Sequence, residues 1–305
     1  MRVMPGSGAL GQLEPARTLG LLRRRVAMNA EAPGRTIASM PRGGPQASWL
    51  DRRFETDELE YLDRDDAPDE VKQKVIGMLD RLGGLFKLHE KDARTTLDVV
   101  RDVPSPRILE LGAGHGKLSA KILDFHPTAT VTVSDLDPTS VANIAAGPLG
   151  TNPRARTQVV DATAIDAEDD SYDLVVFAQA FHHLPPAVAY RAIAEATRVG
   201  KSFLVIDLER RTPLGFMLFW ALRPLLQLAA LPSSSLRPLL HDGYISALRA
   251  YSPAALQALA NAADSAISIE FLPRAKGFGP TSMAVLFRRP GTAHGQVTGQ
   301  PHGNH

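Results

Sequence analysis

The stretch Ile108-Leu-Glu-Leu-Gly-Ala-Gly-His-Gly-Lys-Leu-Ser119 limits the possible folds of this chain more than any other. An apolar run ends in Glu110 and Leu111. Glycines follow at alternate positions, Gly112, Gly114 and Gly116, and a helix-compatible sequence begins at Lys117. A strand that stops at a glycine turn and feeds a helix lets backbone come close to a ligand, because no side chain blocks the approach and glycine accepts positive φ without strain. Taken alone, such a turn is common among α/β proteins.

The segments downstream repeat the alternation. Arg107–Leu111 reads as a first strand and Lys117–Phe125 as a helix with Leu118, Ile122 and Leu123 inward. Thr128–Ser134, rich in β-branched residues, is a second strand ending at Asp135, and Thr139–Ala146 is a helix. Arg156–Val160 is a third strand ending at Asp161, Tyr172–Phe177 a fourth, Pro186–Thr197 a helix and Lys201–Leu208 a fifth strand. Strands alternating with helices at this spacing predict a parallel, doubly wound sheet. Ligands of such sheets sit beyond the carboxyl ends of the strands, near the switch in strand order. That rule gathers Gly112–Gly116, Asp135, Asp161 and Phe177–Ala178 around one crevice.

The flanks read differently. Residues 1–53 show no sustained periodicity and carry nine Arg against Glu14, Glu31 and Asp51, a balance of +6, which predicts a disordered leader. Arg23-Arg-Arg25 is not followed by an apolar region of export-signal length. Residues 54–70 reverse the sign, with nine acids against Arg64, and read as a solvated acidic face whose charge complements the basic leader. From Pro68 an amphipathic helix is expected through Val71, Ile76, Met78, Leu79, Leu82, Leu85 and Phe86, broken or bent at Gly83-Gly84. A second follows from about Lys91 to Val100, both packing on the domain's edge. Residues 54–103 thus form an N-terminal acidic segment with helices, 104–290 the main domain, and 291–305 a loose tail. The chain holds no cysteine, which excludes disulfides and thiolate chemistry and fits a reducing, cytoplasmic compartment. A net charge of +1 gives no argument for a nucleic-acid partner. His294, His302 and His305 in the tail have no regular spacing, and no metal site is expected.

The ligand follows from the spacing at the strand ends. Asp135, at the end of the second strand, is placed to accept hydrogen bonds from two adjacent ribose hydroxyls, as in a dinucleotide or an S-adenosylmethionine site. The glycines fall as G-x-G-x-G with an acid two positions ahead, not as the dinucleotide G-x-G-x-x-G. This resembles the first motif of class I S-adenosylmethionine-dependent methyltransferases, here Glu110-Leu-Gly-Ala-Gly-His-Gly116. Val133-Ser-Asp-Leu-Asp-Pro138 resembles the family's second motif, Val160-Asp-Ala162 the third, and Asp169–Leu184 with its His182-His183 the fourth strand and following loop. The match runs from about Arg107 to Leu208. It departs where Arg198-Val-Gly-Lys201 replaces the usual Pro-Gly-Gly before strand five.

The resemblance implies a Rossmann-like, seven-stranded, mostly parallel sheet with helices on both faces, an antiparallel last strand, N-terminal helices and a helical insertion after strand five. It implies S-adenosyl-L-methionine as cofactor and direct in-line transfer of its methyl group to a small-molecule acceptor. Glu110 would orient the glycine loop and approach the methionine amino group. Gly112, Ala113, Gly114 and Gly116 would close backbone around methionine and ribose. Asp135 would hold the ribose hydroxyls with Leu136 against adenine, Asp161 and Ala162 would recognise the adenine edge, and Phe177 with Ala178 would line the methionine end.

The insertion, residues 213–250, is the least ordinary part of the chain. Its apolar run Leu214–Leu222 is nine residues, against the roughly 18–20 that span a bilayer, and Arg223-Pro224 is expected to break it. A helix apolar on nearly all sides must be covered. Three fates are open to it: a lid over an apolar acceptor, an oligomer interface, or a surface resting on lipid. The lid reading puts Phe216, Phe219 and Trp220 against the substrate or the core, and makes His241 the candidate catalytic base. His182-His183 reads as structural and His115 as outward-facing. Ile267–Leu272 and Ser282–Arg288 read as the two final strands. The rival functions are a non-catalytic, membrane- or partner-associated S-adenosylmethionine-binding protein and an NAD(P)-dependent oxidoreductase. The latter lacks its glycine fingerprint and a hydride-relay residue.

Overall fold

The computed structural model describes residues 37–61, 64, 66, 68–229, 236–273 and 282–290. In chain order the elements are α1 (Trp49–Arg53), α2 (Asp69–Leu85), α3 (Leu88–Val99), β1 (Arg107–Leu111), α4 (Lys117–Phe125), β2 (Thr130–Asp135), α5 (Pro138–Ala146), β3 (Ala155–Val159), β4 (Leu174–Ala178), α6 (Pro186–Val199), β5 (Phe203–Leu208), α7 (Pro213–Ala229), α8 (Leu236–Arg249), α9 (Pro253–Ala263), β6 (Ser268–Phe271) and β7 (Ser282–Arg288). Short 3₁₀ turns at Pro148–Thr151 and Phe181–His183 complete it.

One seven-stranded sheet runs in the order β3-β2-β1-β4-β5-β7-β6. Strands β1 to β5 pair in parallel, and β7 runs antiparallel to both β5 and β6. The expected Rossmann-like sheet with an antiparallel last strand is therefore present, its order reversing between β1 and β4.

Alternation along each central strand makes two cores, because successive side chains point to opposite faces. Leu109, Leu111, Val175, Phe177, Phe203 and Val205 meet Ile193 and Ala196 of α6 and Leu256 and Leu259 of α9. Ile108, Leu174, Val176, Leu204 and Ile206 meet Ala93 of α3 and Leu118, Ile122 and Leu123 of α4. With apolar cover on both faces, β4 (Leu-Val-Val-Phe-Ala) reads as a continuous apolar run, and β5 does so up to Asp207.

Three expectations are corrected here. The leader is not without structure throughout, since residues 37–53 fold against the domain and form α1, capped by Ser48 accepting from the Asp51 amide. The reason is charge burial. The Arg42 guanidinium donates to the carbonyls of His182, at 2.9 Å, and Arg249, and Arg210 pairs with Asp51 at 2.8 Å. Gly83-Gly84 does not break α2, which ends only after Leu85; Lys87, at φ 52, then joins it to α3. Nor does Pro224 break the insertion helix, for α7 runs through it. Proline costs that helix one hydrogen bond and a steric adjustment, a kink rather than an end when packing favours continuation. Residues 1–36 and 291–305, expected to be a leader and a tail, lie outside the described residues.

Candidate active site

Between β1 and α4 the chain passes Gly112 at φ 61, Gly114 at φ 54 and Gly116 at φ 68. A Cβ on Gly112 would sit 2.6 Å from the Phe177 ring, so that glycine is demanded by packing as well as by φ. A Cβ on Gly114 would meet nothing within 4 Å, so its glycine answers to φ and has open space beside it. The loop is tied to the end of β2 by Ala113 N–H donating to Ser134 O at 2.8 Å and Gly114 N–H donating to Asp135 Oδ2 at 2.9 Å.

Glu110 lies behind this loop, not in it. Its Oε2 accepts from the Ser119 amide at 3.1 Å and from the Ser119 hydroxyl, inside the first turn of α4. Burial pushes its carboxyl up to about 7, against the lowering effect of the two Ser119 bonds, with Asp135 and Asp92 adding to the rise. The structure thus gives Glu110 a place holding the helix start beneath the loop.

The remaining expected site residues lie at the ends of β2, β3 and β4. Asp135 Oδ1 accepts from the Asp137 amide at 3.0 Å, and Val160 N–H donates to Asp135 O at 3.0 Å, joining the ends of β2 and β3. Leu136, next to Asp135, is 66% exposed, an apolar side chain at the cleft rim. Asp161 Oδ1 accepts from the amide and hydroxyl of Thr163, both at 2.8 Å, which holds its carboxyl below the usual range. Ala162 and Ala178 are half-buried. Phe177 is buried, edge-to-face with Phe181 at 5.7 Å.

Several groups were not singled out in the sequence. Gln179, just after β4, has φ 58, and its amide donates to Asp92 Oδ2 at 3.2 Å and to Ser282 Oγ at 3.1 Å. Burial pushes the Asp92 carboxyl up to about 6. Behind the loop after β4, Asp207 of β5 accepts from the His182 backbone amide at 2.7 Å and faces His182 Nδ1 at 2.8 Å. Burial would lower the His182 pKa, but Asp207 and Glu60 outweigh it and push the imidazole up to about 9. Glu60 comes from the acidic run expected to be a solvated face, yet it is 5% exposed and accepts from Ser246 Oγ at 2.7 Å. Only the pattern of the whole fold, not the local run, distinguishes it from its exposed neighbours Asp57 and Glu58.

The insertion packs on the N-terminal segment. Phe216 of α7 is fully buried, stacked on Phe54 at 5.4 Å and lying 5.1 Å beneath the Arg210 guanidinium. It packs with Tyr244, Ile245 and Leu248 of α8. The side chains of Phe219 and Trp220 lie outside the described residues. His241 is held at both ring nitrogens, Nδ1 facing Asp242 Oδ1 at 3.1 Å and Nε2 facing Glu58 Oε1 at 3.0 Å. Neither nitrogen is free to take a proton from an acceptor in this arrangement. His115 is exposed, as expected.

Comparison with known proteins agrees with this geometry. Residues 108–202 match the family model of a methyltransferase domain. The chain is 37% identical over 97 residues to malonyl-[acyl-carrier protein] O-methyltransferase from Geobacter sulfurreducens, a match over 32% of this chain and 35% of that protein. It therefore spans about a third of the length of that curated relative. Among solved structures it is similar to plantazolicin methyltransferase BpumL in complex with SAH. That likeness has 13% identity and a TM-score of 0.52, and it covers 88% of this chain and all of that one. A second structure of BpumL, with a monoazolic desmethylPZN analog and SAH, gives 13% identity and a TM-score of 0.51 over 72% of this chain and 91% of that one.

Proposed function

We propose that this chain, a member of the class I S-adenosylmethionine-dependent methyltransferase family, binds S-adenosyl-L-methionine across Gly112–Gly116 and transfers its methyl group to a small, largely apolar acceptor. The observation that carries the cofactor reading is the left-handed Gly114, with open space beside it and its amide bonded to a carboxylate at the end of the next strand. Bound S-adenosylmethionine brings a methyl group already activated by its sulfonium.

The chain's own residues then have to bind, orient and exclude water. Asp135 would accept the ribose hydroxyls while keeping the loop closed. Leu136 would lie against adenine, and Asp161 with Ala162 would read its edge. Ala178, with Phe177 beneath, would line the methionine end. Glu110 would act from behind, keeping α4 and the loop in register through Ser119. In-line transfer to an acceptor that is already deprotonated needs no base, which fits an insertion whose His241 is committed to two carboxylates. The apolar acceptor rests on the apolar run Leu214–Leu222 of the insertion alone, since Phe216 is closed into packing with Phe54, Ile245 and Leu248.

A second reading rests on the outer side of the same helix. Leu214 and Leu218 are 75% and 63% exposed, and with Met217 and Leu222 they form an apolar stripe at helical spacing. Such a stripe suits a partner protein, a second copy or a lipid surface. No helix among the described residues is long and apolar enough to cross a membrane.

Parallel calorimetric titration with S-adenosylmethionine, S-adenosylhomocysteine and NADH tests the proposal. Micromolar binding of both adenosyl ligands, with none of NADH, supports it and opens an acceptor screen. Failure to bind either adenosyl ligand sinks it.

A further inference from the structure

Glu60, His182 and His183 bring three ligating atoms within 4.8 Å of one another. Glu60 arrives from the segment before α2, while the two histidines sit on the 3₁₀ turn after β4. His182 Nε2 lies 3.5 Å from Glu60 Oε1, and His183 Nε2 lies 4.0 Å from Glu60 Oε2. His182 is 4% exposed, yet its Nε2 has no hydrogen-bond partner among the described residues. A buried ring nitrogen normally finds a partner, so one left over at the centre of a carboxylate–imidazole cluster marks a place for something else.

The other nitrogen of the same ring is firmly held. Asp207 Oδ1 faces His182 Nδ1 at 2.8 Å and also accepts from the Leu208 amide at 2.7 Å, while Oδ2 accepts from the His182 amide. With a carboxylate holding the proton on Nδ1, Nε2 is the nitrogen that would give up its proton to an incoming ion and direct its lone pair into the cluster, the arrangement by which carboxylates orient metal-ligating histidines. The main chain beneath is fixed as well, with Arg42 donating to His182 O at 2.9 Å and Arg249 to His183 O at 3.0 Å.

We infer that Glu60, His182 and His183 form a binding site for one divalent transition-metal ion of the zinc class, with Asp207 as the positioning residue for His182. Two imidazoles and one carboxylate are the donor set of three-ligand zinc sites, which keep a further position open. Two nitrogen donors disfavour magnesium and calcium, which take oxygen ligands. Ligands at about 2.0–2.2 Å from a tetrahedral ion lie roughly 3.3–3.5 Å apart. The His182–Glu60 Oε1 separation of 3.5 Å already meets that spacing, while His183, 4.0 Å from the other Glu60 oxygen, has to close by up to about an ångström, since the three ligand atoms lie within 4.8 Å of one another. The half-buried His183 is on the side from which an ion can enter. Such an ion would fasten the N-terminal segment to the carboxyl ends of β4 and β5. The inference is independent of the cofactor reading, because none of the proposed S-adenosylmethionine-binding residues belongs to the site.

The test uses the full chain with the tail histidines removed (His294→Ala, His302→Ala, His305→Ala), stripped with a chelator, then titrated with Zn²⁺ by calorimetry and with Co²⁺ by visible absorption. One ion per chain is expected, with a Co²⁺ spectrum of low coordination number. Glu60→Gln and His183→Asn should each weaken uptake at least tenfold. Asp207→Asn should weaken it about 10- to 100-fold. Far-UV circular dichroism checks that each variant folds, and His183→Asn carries the result if the more buried changes do not. No uptake of either ion would overturn the site and leave the cluster held by a proton on His182. Equal uptake in folded Glu60→Gln and His183→Asn would also overturn it.

Discussion

The Gly114 amide and the Asp135 carboxylate are joined at 2.9 Å, so the tip of the glycine loop and the end of β2 act as one unit. Asp135 therefore has two tasks, closing the loop and meeting the ribose. Asp135→Ala should weaken S-adenosylmethionine binding by roughly 1.5–3 kcal/mol for each charge-assisted hydrogen bond lost. Asp135→Asn keeps an acceptor for Gly114 and should fall between the two. Calorimetry on the three proteins measures this, and an unchanged affinity in Asp135→Ala would remove the ribose assignment.

Neighbouring glycines separate conformational from packing demands. At Gly114 alanine would pay only for left-handed φ, about 1–2 kcal/mol, with open space around its Cβ. At Gly112 the same strain combines with a 2.6 Å approach to the Phe177 ring inside the core. Gly112→Ala should therefore lower the melting temperature clearly more than Gly114→Ala. Gly114→Ala should instead show its main effect on cofactor affinity. Equal destabilisation by the two would mean that the open space beside Gly114 is filled in solution.

Glu110 gives stability a distinctive pH dependence. Its folded pKa is raised from 4.5 to about 7, so the folded state holds its proton more tightly than the unfolded chain does. For a group raised in this way, the favourable contribution is complete below pH 4.5 and is lost as pH rises through 7. The rise corresponds to about 3 kcal/mol at most. Urea unfolding of Glu110→Gln at pH 5 and pH 8 should show a smaller loss across that interval than the wild type. A wild-type slope that survives the substitution would assign the effect to another buried acid, Asp92 first.

How much of this was legible in the sequence follows from what local pattern can encode. The strand bounds read from the sequence lie within two residues of the observed ones, because β4 is an unbroken apolar run, β5 is apolar up to Asp207 and Thr130–Val133 is β-branched. Asp135 and Asp161 stand at or just past the ends of β2 and β3, a position legible in the sequence because a strand end is a local signal. Glu60 was missed because nothing near it distinguishes one buried acid from eight neighbours of the same sign. Its partners Ser246 and His182 lie more than a hundred residues away. Asp207 sits in β5 in full view, but only the crossover beside β4 gives it His182. The order of residues 37–53 has the same origin: Arg42 and Asp51 become core-forming only beside carbonyls and charges from α8 and the segment after β5.

Asp51 and Arg210 make that last point measurable. The Arg210 side chain is fully buried, its Nε donating to Asp51 Oδ1 at 2.8 Å and its Nη2 to the Asp51 carbonyl at 3.1 Å. Nη1 donates to the carbonyl of Leu248, and the guanidinium lies over the Phe216 ring. Removing Asp51 leaves the buried guanidinium facing the more distant Glu55 carboxylate at 3.9 Å, so Asp51→Ala should destabilise by about 3 kcal/mol, the low end for a broken buried pair. A buried pair is often replaceable as a whole, because the desolvation of both charges is then recovered. The double variant Asp51→Leu with Arg210→Met should therefore regain a large part of the loss in chemical unfolding. Should the double variant be as unstable as Asp51→Ala, the bonds of Arg210 to the α8 carbonyls, not its pairing with Asp51, hold the insertion on the sheet.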